Sequence, residues 1–445
     1  MSVAAYPAYL DSGVEWLGPI PEGWSVKPLW AMTTCNDDVL SDSTPSDYMI
    51  DYIEISDVDA VAGVRGRSEL EFSAAPSRAR RRVRDGDVIV STVRTYLRAI
   101  AALESPSANT VVSTGFAVMR PRAVHAGYLA HLFRAEFLVN QIIARSVGVS
   151  YPAINASEIS HLNVPVPSPD EQTAIAAFLD HETAKIDALV AEQERLIALL
   201  KEKRQAVISH AVTKGLDPNA PMKDSGVQWL GQVPAHWIPT MLGRVCIKVA
   251  DGPHYSPEYT EAGILFISAR NIRVDGWSLD DAKYISDEDY MEFCRRVVPE
   301  VGDVLYTKGG TTGIARVVDI LEPFQVWVHV AVIKINKKSA MPYFIAYALN
   351  STGCYEQSQL HTRGATNQDL GLNRMTKIWL ALPPLNEQLE IVAYLDGQIA
   401  KLDSLVNEAI RVVDILKERR AALISAAVTG KIDVRGFVRP EQQDA

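Results

Sequence analysis

Residues 171–215 read EQTAIAAFLDHETAKIDALVAEQERLIALLKEKRQAVISHAVTKG, and residues 387–430 read EQLEIVAYLDGQIAKLDSLVNEAIRVVDILKERRAALISAAVTG. In the first stretch Leu179, Glu182, Ile186, Leu189, Gln193, Leu196, Leu200, Lys203 and Val207 recur in alternating steps of three and four. In the second, Leu395, Gln398, Leu402, Leu405, Ala409, Val412, Leu416, Arg419 and Leu423 do the same. This spacing is that of a coiled-coil seam. Gly397 is the one interruption inside either stretch. Gly215 and Gly430 stand where helices end, and Pro167, Pro169, Pro383 and Pro384 mark the entries. A helix of about 40 residues is about 60 Å long. Each stretch leaves its own globular part, so antiparallel pairing is expected. The contacts would come from Leu179, Ile186, Leu189, Leu196 and Leu200 on one helix and Leu395, Leu402, Leu405, Val412 and Leu416 on the other. The polar members Gln193, Lys203 and Arg419 would set register at some cost in stability.

Working outward, Pro167 to Asp217 returns without a gap as Pro383 to Asp433, with about half of the positions identical. Asp11-Ser12-Gly13-Val14-Glu15-Trp16-Leu17-Gly18, trailed by Pro21 and Trp24, returns as Asp224-Ser225-Gly226-Val227-Gln228-Trp229-Leu230-Gly231 with Pro234 and Trp237. The chain is thus one module written twice, with a pseudo-twofold internal repeat. The expected parts are a globular domain at 1–166, a helical region at 167–217, a second globular domain at 218–382, a second helical region at 383–433 and a tail at 434–445. The expected fold is mixed α/β: two α+β domains separated by two long helices that form an antiparallel coiled coil. Such a rod would hold two readers at a fixed separation, and one turn of a DNA duplex is about 34–36 Å.

Composition is ordinary for a globular protein, and 445 residues give room for more than one core. Cys35, Cys246, Cys294 and Cys354 form no CxxC pair, so no metal site is expected. The N-terminus lacks a signal-peptide pattern and no apolar run reaches about 18 residues, so a cytoplasmic protein with no membrane contact is expected. The net charge of -10 is wrong for a free-standing DNA binder. It is uneven, however: nine arginines lie between Arg65 and Arg98, and acidic residues gather in Asp37 to Asp59 and along the helical blocks.

The globular parts read as mixed α and β. Strands are expected at Val88 to Val90 and Val304 to Tyr306, at Val111-Val112 paired with Phe116 to Met119, and at Val326 to Ile335. Helices are expected at Tyr128 to Ala144 and from Tyr343 to Leu349 onward. Gly86-Asp87-Val88 aligns with Gly302-Asp303-Val304, yet Ser91 to Arg98 and Thr307 to Ile314 share a single identity, Thr95 with Thr311. Val149 to Pro152 likewise faces the unrelated Ala365 to Gln368. A shared scaffold with unlike loops suits recognition of two unlike targets, although loops also drift. Arg and Lys read guanine, and Asn and Gln read adenine. Candidates are Arg94, Tyr96, Arg98 and Tyr151 in the first half. In the second they are His254, Tyr255, Arg270, Asn271, Lys308, Thr311, Thr312, Arg363, Asn367 and Gln368, with Ser256 nearby. The row Arg78, Arg80 and Arg81 suits phosphate contact, which positions without specifying. No catalytic constellation is present: Gly309 to Gly313 lacks the Lys of a P-loop, and Leu382-Pro383-Pro384-Leu385 is not an amino-methylating Asn-Pro-Pro-aromatic motif.

Taken together, the doubled Asp-Ser-Gly-Val-x-Trp-Leu-Gly, the Pro-x-x-x-Glu-Gln openings (Pro167 to Gln172 and Pro383 to Gln388), Gly86 to Arg94, Tyr151-Pro152-Ala153-Ile154-Asn155 and Asp251-Gly252-Pro253-His254 closely resemble the specificity subunit of type I restriction-modification systems. The resemblance covers nearly the whole chain. It implies two target-recognition domains, each reading one half of a split, asymmetric double-stranded DNA site, with the helices setting the spacer. It further implies docking of two methyltransferase subunits, which carry S-adenosylmethionine, and of restriction/translocase subunits. No cofactor and no catalysis are expected on this chain. The N-terminal repeat would pack near the C-terminal helix end. The alternatives are a specificity module for a methyltransferase-nuclease of another restriction class and a protein-only coiled-coil scaffold.

Overall fold

The computed structural model describes residues 4–59, 61–364 and 369–437. It divides into two compact units, residues 1–193 with 411–445 and residues 194–410.

The first unit is organised by β1 (Thr33–Cys35), β2 (Val88–Ser91), β3 (Ile100–Ala102) and β4 (Phe116–Pro121), in the antiparallel order β3-β2-β4-β1. β2 is buried along its whole length because both of its faces are covered. Val88 and Val90 point into the main core with Met119, Leu132 and Phe133, while Ile89 joins Val118 and Phe116 in a smaller cluster behind the sheet. A second four-stranded sheet carries Thr110–Ser113 parallel to Met49–Ile53 and antiparallel to Ala79–Arg82. Helix α1 (Ala126–Arg134) covers the main core.

The second unit repeats this plan with many of its side chains changed. β5 (Cys246–Asp251), β6 (Val304–Thr307), β7 (Ala315–Val317) and β8 (Val330–Ile335) run in the order β5-β8-β6-β7, which is the first sheet's order read from the other edge. Val304 and Tyr306 face the main core and Leu305 the cluster behind, as in β2. A three-stranded sheet again contains a parallel pair, Ile264–Ile267 with Phe324–Val326.

The long helices are α2 (Pro169–Lys214) and α4 (Leu385–Val428), with α3 (Pro342–Leu349) preceding the latter. Each contributes a segment to both units. In the first unit Ile175 and Leu179 of α2 share a core with Ile424 and Val428 of α4, and Arg420 grips Asp187 with bonds of 2.8 and 3.2 Å. In the second unit Ile208 and Val212 share a core with Ile391, Leu395 and Ile399, and Arg204 lies 3.3 Å from Asp403. Asp187 and Arg204 are the repeat counterparts of Asp403 and Arg420, so one ion pair occurs twice with the helices exchanging roles.

The Glu-Gln opening of each helix has a physical purpose. Buried Gln172 accepts from the His125 amide (2.8 Å) at the head of α1 and donates to Pro167 O (3.0 Å). Gln388 accepts from Met341 (2.8 Å) at the head of α3 and donates to Pro383 O (2.8 Å). The preceding glutamates receive indole N–H groups, Trp24 on Glu171 at 3.4 Å and Trp237 on Glu387 at 3.0 Å. Trp24 also lies against Gly430, and Trp237 against Gly215. The N-terminal repeat therefore packs on the end of α4, with Tyr9 Oη donating to Gly430 O at 2.9 Å.

Several expectations need correction. Tyr128 to Ala144 is two helices, because Ala135 is extended (φ -72, ψ 131). The helix expected from Tyr343 breaks before Thr352–His361. Val111-Val112 and Phe116–Pro121 lie in different sheets, as do Phe324–Val326 and Val330–Ile335. The seam is buried at Leu179, Ile186, Leu395 and Leu402. Leu200 and Leu416 are half-buried, and Leu189, Leu196, Leu405 and Val412 are exposed. Two helices cover only a narrow strip of each other. The deeper burial occurs near the helix ends, where strands and short helices add cover.

Gly215 and Gly430 both hold left-handed backbone (φ 76 and 72), but an added Cβ meets neighbours at 3.3 Å at Gly215 and overlaps the Pro21 ring at Gly430. Gly215→Ala should cost ~1–2 kcal/mol from the backbone term alone. Gly430→Ala should lower the Tm of the full chain further than Gly215→Ala does; equal shifts would contradict the packing described.

Candidate nucleic-acid interface

The loops that differ between the halves are pinned by the same backbone bonds. In the first unit Val93 bridges Ala153, Val147 bridges Ala153, and the Ile154 amide donates to Thr92 O at 2.9 Å. In the second, Gly309 bridges Asp369, Arg363 bridges Asp369, and the Leu370 amide donates to Lys308 O at 2.8 Å. Every pair of numbers differs by the offset that relates Pro167 to Pro383. Even the left-handed residue is shared: Arg94 (φ 51) stands where Gly310 (φ 72) does. For arginine this conformation costs ~1–2 kcal/mol, so surrounding contacts must hold it.

Those contacts are visible. The Arg94 amide donates to Pro152 O at 2.7 Å, and its guanidinium lies 4.5 Å over the Tyr151 ring. Tyr151 is 64% exposed, and Tyr96 and Val149 are exposed beside it. The tip thus offers a fixed cation and open rings. Arg98 does not join it, since both its terminal nitrogens bond to Glu136.

The basic row requires correction. Arg78 pairs with Glu54, Arg80 lies 3.7 Å from Asp42 and stacks on Phe72, and Arg84 meets Asp38 at 2.7 Å. Arg65 and Arg67 pair with Asp59 and Asp51. Arg81 is half-buried, and burial pushes its guanidinium down. The acidic stretch from Asp37 to Asp59 has folded onto the basic one, so Arg65, Arg67, Arg78, Arg80 and Arg84 each have a carboxylate nearby.

In the second unit Lys308 is buried rather than presented, lying 3.3 Å from Asp251 and 3.1 Å from Asp369. Arg296 donates to Asp251 and, at 3.0 Å, to His254. This network ties the loops at 251–254 and 308–313 to each other and to Asp369. Burial alone would raise the Asp251 carboxyl, but the Arg296 bond and the Lys308 charge outweigh it and hold it below the usual carboxylate range.

Asn271 is also withdrawn: it is buried, accepts from Ser268, and donates to Ser278 O at 2.8 Å. Thr312 is buried and accepts from Gln359 at 3.1 Å. Tyr255, His254, Arg270, Thr311 and Arg363 are exposed, and Asn367 and Gln368 lie outside the described residues.

Arg270 and Thr311 rim an open cleft of about 330 Å³ with Lys283, walled by Tyr259, Phe266, Trp327 and His329. A side chain at Gly309 would collide with the His329 ring. Burial and Lys308 push His329 down, which favours the neutral imidazole. Sequence reading missed Tyr259, Lys283, Trp327 and His329, which are distant in the chain and follow no period. The Gly309-Gly310 pair was the available signal, since it lets a neighbouring ring approach the backbone. Among the described residues no group of His, Cys, Asp and Glu is placed to hold a metal, and no helix is long and apolar enough to cross a membrane.

The sequence model of the type I restriction modification DNA specificity domain matches residues 85–197 and 253–412. The EcoKI specificity subunit of Escherichia coli K12 is 24% identical over 331 residues, covering 71% of this chain and 68% of that one. The StySPI specificity subunit of Salmonella potsdam is 24% identical over 343 residues, covering 71% and 67%. The MjaIX specificity subunit of Methanocaldococcus jannaschii is 22% identical over 442 residues, covering 94% and 95%. A solved chain from work on complex assembly and conformational transition of the type I R-M system shares the fold, with a TM-score of 0.73, 23% identity and coverage of 93% and 99%.

Lys308→Met should destabilise the second unit by ~1.5–3 kcal/mol at neutral pH. Asp251 has a depressed folded pKa, so its contribution is complete above the ordinary Asp value of about 3.9 and is lost as the pH falls through the lower folded value. Urea unfolding of both proteins at pH 7 and pH 3 should show the gap closing in acid. A gap unchanged by acid would refute the network's role.

Proposed function

The chain belongs to the type I restriction-modification DNA specificity family, and from that premise we propose that it reads a bipartite, asymmetric site on double-stranded DNA, one half per globular part. What carries this reading is the identity of the two loop frames beneath unlike side chains. Arg94 with Tyr151 would serve one half-site, and Arg270, Thr311 and Arg363 the other. An arginine held over an aromatic ring has few other rotamers to lose and is preorganised for the two acceptors of guanine.

In this reading the target-recognition domains are 1–166 and 218–382, the helical regions 167–217 and 383–433 form an antiparallel coiled coil that sets the spacer, and 434–445 is a tail. The recurring Asp–Arg pair, Asp187 with Arg420 and Asp403 with Arg204, supports that pairing. The chain itself is non-catalytic. Two methyltransferase subunits bring S-adenosylmethionine and the chemistry, and restriction/translocase subunits join them in the cytoplasm. The exposed Leu189, Leu196, Leu405 and Val412 suit helices that present apolar surface to partner subunits.

Arg94→Ala should relax one half-site only, with roughly ten- to hundred-fold loss of discrimination there. Arg270→Ala should relax only the other. Mapping methylated adenines in cells that carry each variant checks this. Variants that change both halves alike, or neither, would sink the division of labour.

A further inference from the structure

Arg98, the last residue of the first unlike loop, converges with Arg134, Lys417 and Arg420 on a cavity of about 200 Å³ in the first unit that Glu136 also lines. Arg98 is held by Glu136 and Arg420 by Asp187, but each guanidinium has five N–H donors and these bonds leave several unspent. Arg134, the last residue of α1, makes no side-chain hydrogen bond or ion pair among the described residues. Asp187, Glu104 and Asp180 lie within electrostatic reach of it, yet burial and the like charge of Arg420 dominate and push it down. Lys417 acts on Asp59.

A guanidinium does not shed its proton, so Arg134 is a half-buried charge, partly stripped of water, whose remaining hydration a ligand can replace. The α1 carbonyl end relieves only part of this. In the second unit Ile314 and Asn350 stand where Arg98 and Arg134 do, and the Asn350 amide is tied to Ala315 O at 2.8 Å. Lys201 and Arg204 keep the charges of Lys417 and Arg420, so the first half adds Arg98 and Arg134 to a basic pair that both halves share.

We propose that this cavity is a phosphate-binding site. A carboxylate satisfies a single guanidinium fork, whereas a tetrahedral phosphate offers oxygens to Arg134, Arg98 and Lys417 together. The phosphate is either a backbone group of the bound duplex or a free anion. The site goes beyond the base-reading proposal, and its first test requires no DNA.

The full chain is melted in inorganic phosphate and in potassium chloride at matched ionic strength. Phosphate should raise the wild-type Tm; Arg134→Gln should abolish the rise, and Arg134→Lys should keep part of it. In the second arm, DNA binding by the assembled complex is measured against salt. If the duplex supplies the phosphate, Arg134→Gln lowers the slope of log K against log salt by about one. If the ligand is free, the slope stays and the Tm effect remains. Should Arg134→Gln not fold, the double variant Arg98→Gln with Glu136→Gln replaces it, with the same expectation. A phosphate rise that survives in the variants overturns the proposal. So does the absence of a rise together with an unchanged slope.

Discussion

An indole N–H donated to the first-turn glutamate of one long helix, with the terminal glycine of the other helix against the same ring, is the junction from which the rest of the structure follows. It occurs in each unit, as Trp24 with Glu171 and Gly430, and as Trp237 with Glu387 and Gly215. A long helix leaves its first amides and last carbonyls without partners. Here the start of one helix and the end of the other meet at one aromatic ring. The next residue, Gln172 or Gln388, fastens that start to the head of a short helix in the same globular part. Shifting one helix by a turn would break all of these bonds at once, so the junction fixes register more firmly than the exposed seam leucines could.

With the ends fixed, the globular parts can vary without losing the frame. Both central sheets have the same strand order, and both reading loops are pinned at corresponding positions. The frame lies in backbone bonds, which do not depend on side-chain identity. Arg94 accepts the backbone strain that Gly310 avoids, and it is held there by the Pro152 carbonyl and the Tyr151 ring. Strain of this kind, sited at an exposed tip, fits a residue selected for what it touches rather than for stability.

Electrostatics follow the fold rather than the order of residues along the chain. The arginine-rich stretch is neutralised by the acidic stretch that precedes it, which suits a chain whose net charge is -10. Positive charge also gathers locally: at the Arg94 tip, at the Arg270 and Lys283 rim, and at the cavity around Arg134.

The sequence by itself determined the duplication, the two long helices, the matched frames and the unlike loops, because each is a statement about order and period. That the N-terminal repeat packs near the end of the second helix followed from the resemblance to the specificity subunits, and the Trp24 contact with Gly430 agrees with it. Only tertiary structure decided which candidates are presented. Lys308 and Asn271 look like base readers in the chain but are consumed by carboxylates and carbonyls that arrive from other loops. The aromatic cleft and the Arg134 cavity were invisible for the same reason. Their residues lie far apart along the chain, and periodicity can record which face a residue shares with its neighbours but not which distant residues the folded backbone brings against it.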